Sequence, residues 1–345
     1  MEKMTKRIKM IAECYGATAV GITTTEGLAQ GPPSTDLSYV LPGAKSAVSF
    51  LVDLNQDLIE PYLKKEDRRS HEKDNIRINT LVSGISVEIA NYLTQKGYPS
   101  MAQAANGVYR TDTPNGPLDE KPPLSHRYLA VRSGIGQFGL SGNVLTKQNG
   151  AAVILGSVVT QAELIPTEPL PPEENYCDDC RLCMASCASD YMAPKEKTTV
   201  SVGGVEFSHS KHHHHNRCDY VCGGFSGLHR SGKWSTWSPA RFPIPEKDEE
   251  FLPAIINAAN AFKNRPREEG GFFHFLVPGN RIEITCGNCT LVCHPDREVR
   301  KKRYEMLTQS GVIVQNPDGS RDAVSPEEAK QRLAAMPVDI RALYE

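Results

Sequence analysis

The sequence predicts a mixed α+β protein with a layered α/β front part and a rear part organised by cysteines. Two observations carry this. Helix-like and strand-like apolar periods alternate through the front half, and every cysteine except Cys14 lies between Cys177 and Cys293. At 345 residues the chain is long for one domain. A formal net charge of −2 signals no strongly basic nucleic-acid surface, and 39% hydrophobic residues suffice for a packed core. No apolar run approaches the length of a bilayer span.

The elements follow in order. Ile8, Ile11, Ala12 and Tyr15 fall at helical spacing over residues 4–15, and Gly16 can close that helix in a left-handed conformation. Residues 17–23 are a short β-branched stretch, residues 28–42 are turn-rich, and residues 46–53 (SAVSFLVD) read as a strand buried on both faces. The mixed-sign run Lys64 to Asp74 is expected to be a solvated helix face or loop. From Ile76 the positions Ile78, Leu81, Val82, Ile85, Ile89 and Leu93 repeat at three and four, predicting a helix that ends at Lys96-Gly97. Residues 107–150 break any long period with prolines and glycines yet carry many ionisable and aromatic residues, as functional irregular segments do. Residues 151–160 (AAVILGSVVT) return as a central strand.

The cysteines have a specific spacing. Cys177-x2-Cys180-x2-Cys183-x3-Cys187 is the bacterial two-cluster ferredoxin run, in which three thiolates hold one 4Fe-4S cluster and the fourth reaches the other. Cys286-x2-Cys289-x3-Cys293 supplies the reciprocal set. Cys177, Cys180 and Cys183 then share a cluster with Cys293. The second cluster takes Cys187, Cys286, Cys289 and one of Cys218 or Cys222, with Cys218 preferred. Zinc usually asks for paired C-x2-C knuckles, and a 2-2-3 run overfills a tetrahedral metal. Disulfides need an oxidising compartment, whereas the N-terminal MEKMTKRIKM has no apolar signal region, so a cytoplasmic metal protein is expected.

Between the two runs, His212 to His215 read as a solvated loop, Trp234 and Trp237 as core or interface anchors, and residues 251–262 as a helix. After Cys293 comes a basic stretch, Arg297 to Arg303, and a last helix opening on the capping pattern Ser325-Pro326-Glu327-Glu328. Gly134-x-Gly136-x-x-Gly139 matches the dinucleotide fingerprint in letters only. That fingerprint follows a strand and opens a helix, and here a helical segment precedes it and a strand follows.

In that same region Leu124-Ser125-His126-Arg127-x-x-Ala130, Ser133-Gly134-Ile135-Gly136, Gly142-Asn143-x-Leu145-Thr146, Gly150 and Val158-Val159-Thr160 precede the first cysteine run. Together with the LPGA turn at Leu41 to Ala44, this order of elements resembles the corrinoid iron-sulfur reductase superfamily, whose branches include reductive dehalogenases and epoxyqueuosine reductase. The resemblance spans roughly residues 5–190 and resumes at Cys286 to Cys293.

The resemblance implies a flavin-reductase-like (nitroreductase-like) domain over residues 1–165 that binds cobalamin base-off. A ferredoxin-like two-cluster domain follows over 166–300, with an insertion at about 194–285, and then a helical tail over 301–345. Ser125, Arg127, Gly134, Gly136, Gly139, Gly142, Asn143 and Ser157 would line the corrin. Asp119, in Asp119-x-x-Pro122-x-Leu124, matches the proton-donor segment of epoxyqueuosine reductases. Asp112, Tyr109 and His126 are the other candidate donors, and Tyr128 is read as packing. The expected activity is reductive cleavage, by dehalogenation or by C–O or C–S bond reduction, of a small organic substrate, fed by a reduced ferredoxin or flavodoxin-type donor. The alternatives are an epoxyqueuosine reductase acting on tRNA and a reductive activator of another corrinoid protein. The stretch after Cys293 is short and shows no helical repeat, so tRNA is expected to be disfavoured, and no membrane partner is expected.

Overall fold

The computed structural model, which describes residues 1–273 and 279–345, divides the chain into two units. The first holds Met1–Leu54, Asn75–Asp179 and Lys197–His209, and the second holds Asn55–Asp74, Cys180–Glu196 and Ser210–Glu345. The chain crosses between units five times, so the expected linear boundaries at 165 and 300 do not match them. Residues 301–345 are part of the second unit rather than a separate tail. Of the expected insertion, residues 274–278 lie outside the described residues.

The first unit is built on an antiparallel sheet in the order Ala19–Thr24, Ser46–Asp53, Val153–Thr160, Ser100–Gln103. Ser46–Asp53 is buried along almost its whole length, as a continuous apolar run predicts. The pleat sends alternate residues to opposite faces. Ala47 packs with Leu129 and Val159, and Leu51 with Ala130 and Val131, all on the side of the helix His126–Arg132. Phe50 faces the other way, where Val82 of the helix Arg69–Gln95 also lies. Gly156 sits between those two side chains, and a Cβ there would lie 2.4 Å from Phe50 Cζ and 2.7 Å from Val82 Cγ1. Ile78, Val82, Ile85, Ile89 and Leu93 are all at most 2% exposed, which confirms the helical period. The first helix, Glu2–Cys14, buries Ile8 and Ala12, and Gly16 follows it at φ +105°. Each large apolar side chain buried this way is worth about 1.5–3 kcal/mol.

The second unit has an aromatic core of Tyr220, Phe225, Phe251 and Ile255 between the helices Asn216–Cys222 and Asp248–Asn264. The antiparallel pair Val312–Gln315 and Arg321–Val324 packs with Ala329 of the helix Pro326–Ala334, whose start is capped by Ser325 Oγ accepting the Glu328 N–H at 3.1 Å. Trp234 and Trp237 are buried anchors, and Trp237 Nε1 donates to the Tyr62 carbonyl at 3.0 Å.

Two expectations fail here, and one element was not expected. The charged run Lys64 to Asp74 is not solvated, because Arg68, His71, Glu72 and Asp74 are buried and the long helix begins at Arg69. Arg68 bonds Glu72 at 2.7 Å and Glu268 at 2.7 Å, and Glu72 accepts the backbone N–H groups of Gly271 and Ile284, so each buried charge has a partner. Residues Met192–Val202 and Val205–His212 form a two-stranded hairpin not foreseen in the sequence, turning on Gly203 and Gly204, both at positive φ. Finally, His212 to His215 are not a freely solvated loop. The ring of His212 packs on Tyr191 at 4.6 Å, and those of His214 and His215 lie 4.3 Å apart.

Candidate functional site

All ten cysteines are free thiols, and nine of them are half-buried, so disulfides play no part among them. In the first unit, Cys177 Sγ accepts the Leu140 N–H at 3.3 Å. The glycine loop makes that bond possible: Gly142 N–H donates to the Gly139 carbonyl at 2.9 Å, closing a turn whose second residue is Leu140. A Cβ on Gly136 would lie 2.4 Å from Val144 Cγ1, one on Gly139 2.8 Å from Leu145 Cδ1, and one on Gly134 2.1 Å from the Glu168 carbonyl oxygen. These glycines are therefore required by the chain's own packing.

In the second unit the helical turn Leu182–Ala185 carries Cys183, and Cys180 Sγ lies 3.7 Å from Arg300 Nη1. Cys187 Sγ accepts the Tyr191 N–H at 3.4 Å, and Cys286 accepts from the backbone N–H groups of Gly287 and Asn288. Cys187, Cys218, Cys286 and Cys289 come close enough to act on one another electrostatically, and Cys183 acts on Cys289 as well. Burial pushes the Cys187 thiol up to about 11 and the Cys289 thiol upward too. Thiols held protonated in this way give up protons when a metal binds. Grouped cysteines with N–H groups aimed at their sulfurs fit an iron-sulfur cluster, whose potential such bonds tune. The Leu140 amide and the Arg300 guanidinium were missed in the sequence, although Arg300 lies in the basic stretch directly after the second run.

The proton-donor candidates are not gathered at one point. Asp112 is exposed and clamped by Arg110, whose Nε and Nη2 lie 3.0 and 2.9 Å from its two oxygens, while Tyr39 donates to it at 2.9 Å. The Arg110 bond first, and then Tyr39, hold its carboxyl far below the usual range. Asp119, half-buried, accepts from Asn115 Nδ2 at 2.8 Å and from the Asn115 N–H at 3.1 Å, which lowers its pKa. Neither carboxyl is raised by burial, as a neutral-pH acid would need to be. His126 has both ring nitrogens engaged, Nδ1 with the Ser157 hydroxyl at 2.8 Å and Nε2 with the Ala104 carbonyl at 2.9 Å. A carbonyl only accepts, so Nε2 carries the proton and the Ser157 hydroxyl donates to Nδ1. Desolvation lowers the pKa of His126 and keeps it neutral, so it ties a helix start to the sheet. Tyr109 is half-buried in the irregular segment, and Tyr128 packs edge-on against Phe138 at 5.6 Å, where burial raises its phenol.

Of the residues expected to line a corrin, Ser125 caps the helix His126–Arg132, Ser157 is buried against His126, Arg127 is exposed, and Asn143 hydrogen-bonds through its backbone within the loop. These roles are internal to the fold. The corrin expectation therefore stands on the family resemblance.

No protein-family model matches the chain. An epoxyqueuosine reductase from Vibrio cholerae serotype O1 is 35% identical over 182 residues, covering 51% of this chain and 41% of the relative. The chain spans about half, or less, of the length of the curated relatives it matches. Among solved structures, an epoxyqueuosine reductase with an epoxyqueuosine-modified tRNA stem loop aligns at TM-score 0.37 and 17% identity, over 55% of this chain and 52% of that one. A reductive dehalogenase aligns at TM-score 0.47 and 17% identity, over 62% and 28%. The resemblance is borne out by the curated relatives, which are epoxyqueuosine reductases. The expectation that tRNA is disfavoured finds no support in these relatives. It rested on where the chain stops, which does not decide a substrate. No helix among the described residues is long and apolar enough to cross a membrane.

Proposed function

We propose that this chain is a reductase of the epoxyqueuosine reductase type, holding two 4Fe-4S clusters and a cobalamin and acting on an epoxide-bearing nucleoside of tRNA. The observation that carries this is the pair of cysteine runs with N–H groups directed at their sulfurs, in a chain 35% identical over 182 residues to an epoxyqueuosine reductase. The first unit's sheet and helices are read as the flavin-reductase-like corrin domain, and the cysteine runs as the ferredoxin-like part. Cys177, Cys180, Cys183 and Cys293 hold one cluster, and Cys187, Cys218, Cys286 and Cys289 hold the other.

The reaction removes one oxygen from the epoxide with two electrons and two protons, leaving an alkene and water. A bound cobalamin would supply a strongly reducing low-valent cobalt. The residues of the chain do the rest. The thiolates would hold the clusters, whose iron would pass single electrons from a reduced ferredoxin or flavodoxin-type donor, and the Leu140 N–H and the Arg300 guanidinium stabilise the charge on Cys177 and Cys180. Asp119, which matches the proton-donor segment, delivers a proton, while Asp112 is locked by Arg110 and both ring nitrogens of His126 are engaged. To act as an acid Asp119 must leave its bonds to Asn115 when substrate desolvates it.

The test is anaerobic reconstitution of the full chain with iron, sulfide and cobalamin, followed by turnover of an epoxyqueuosine-containing anticodon stem with a chemical reductant. Conversion to queuosine is expected, and Asp119→Asn should keep its clusters while losing turnover. Reduction of small halogenated or hydroxylated compounds with no action on the stem would favour the small-molecule reading. A chain that takes up no iron would end both readings.

A further inference from the structure

The second cysteine group holds one thiol more than a cluster needs. Cys187, Cys286 and Cys289 leave one position to fill, and the helix Asn216–Cys222 offers two sulfurs for it. Cys218 and Cys222 are four residues apart on one face of that helix, with their sulfurs 3.4 Å apart. Cys218 acts electrostatically on both Cys187 and Cys289. Cys222 is hydrogen-bonded to both Cys218 and Cys286. The end of the helix is fixed, since Thr285 Oγ1 donates to the Val221 carbonyl at 3.1 Å and to the Cys222 carbonyl at 3.0 Å. Thr285 directly precedes Cys286, so the two candidate sulfurs and the Cys286 ligand are held on one frame. A change of ligand then needs a side-chain rotation and no backbone movement.

We propose, on the two-cluster reading above, that Cys218 and Cys222 are an exchangeable pair, with Cys218 the resident fourth thiolate of the second cluster and Cys222 a reserve that replaces it. The exchange is redox-neutral. Cys222 sulfur forms a bond to iron as the Cys218–iron bond breaks, and the proton leaving the Cys222 thiol passes to the departing Cys218 thiolate. At 3.4 Å between sulfurs that transfer needs no carrier. The cluster gains tolerance to loss or modification of its fourth ligand. A cysteine that merely filled space would not hydrogen-bond two members of the ligand set.

The full-length chain, reconstituted anaerobically with iron and sulfide, separates the possibilities. Wild type, Cys218→Ala and Cys222→Ala should each hold about eight irons, and the double variant about four. In Cys218→Ala the paramagnetic-resonance signal of the second cluster should shift from that of wild type, while Cys222→Ala leaves it unchanged. The first cluster's irons and far-UV circular dichroism report whether each variant folds. The exchangeable pair is refuted if either single variant alone falls to about four irons with its fold intact, or if the double variant keeps about eight. A wild-type chain with fewer than about eight irons would instead overturn the two-cluster reading.

Discussion

Arg68 offers the sharpest test of how the second unit is held together. Its side chain is 2% exposed and serves Glu72, also 2% exposed, and Glu268, 20% exposed, with Glu283 at 3.9 Å. Arg68→Met keeps the apolar stem and removes the charge. Removing one member of a buried ion pair costs about 3–5 kcal/mol, because the other charge is left desolvated. Three features reduce that figure here. Glu72 keeps the N–H groups of Gly271 at 3.2 Å and Ile284 at 2.9 Å, Glu283 keeps Arg321, and Glu268 can turn to water. The expected loss is therefore near the lower end, about 3 kcal/mol. With a urea dependence of about 2 kcal/mol per molar, the midpoint should fall by about 1.5 M. Trp237, bonded to the Tyr62 carbonyl in the same unit, supplies the fluorescence signal. The double variant Arg68→Met/Glu72→Met removes the orphaned carboxylate and should regain part of the loss. A loss below about 1 kcal/mol in Arg68→Met would refute the claim that this network carries the unit.

Three further outcomes follow from single positions. Burial lowers Lys65 from 10.5 to about 7, so between about pH 7 and pH 10 the unfolded chain binds the extra proton. Stability should then rise with pH by up to about 1.4 kcal/mol per pH unit, a slope that urea titrations should show flattened in Lys65→Met. Gly156→Ala pushes a methyl group to within 2.4 Å of Phe50 on a central strand and should cost about 1–3 kcal/mol in thermal unfolding, whereas a neutral effect would mean the helix can back away. His126→Phe strands the Ser157 hydroxyl and the Ala104 carbonyl, for about 2–4 kcal/mol. Desolvation holds the folded His126 below its usual 6.5, so wild type should lose stability as pH falls through that value and the variant should not.

The chain's local patterns settled much of this protein. The 2-2-3 cysteine run has the spacing of a cluster ligand set, the unbroken apolar stretch Ser46–Asp53 demands burial on two faces, and the three-four period from Ile76 demands a helix. These signals are legible because each depends on residues within a few positions of one another. The hairpin on Gly203-Gly204 belongs to the same class, since two glycines after the β-branched stretch Thr198 to Val202 mark a tight turn. Tertiary structure decided what depends on distant partners. Lys64 to Asp74 reads as solvated because its neighbouring opposite charges can pair on a surface, while Glu268 and Glu283, which Arg68 meets in the interior, lie some two hundred positions on. The glycine loop reads as a ligand cradle until the fold shows Val144, Leu145 and Glu168 filling its space and Leu140 turned toward Cys177. Asp112 and Asp119 read as acids, and only their neighbours Arg110 and Asn115 reveal that both are held ionised. A side chain's type travels with the sequence, but its charge state and its partners are properties of the field and packing that the whole fold creates around it.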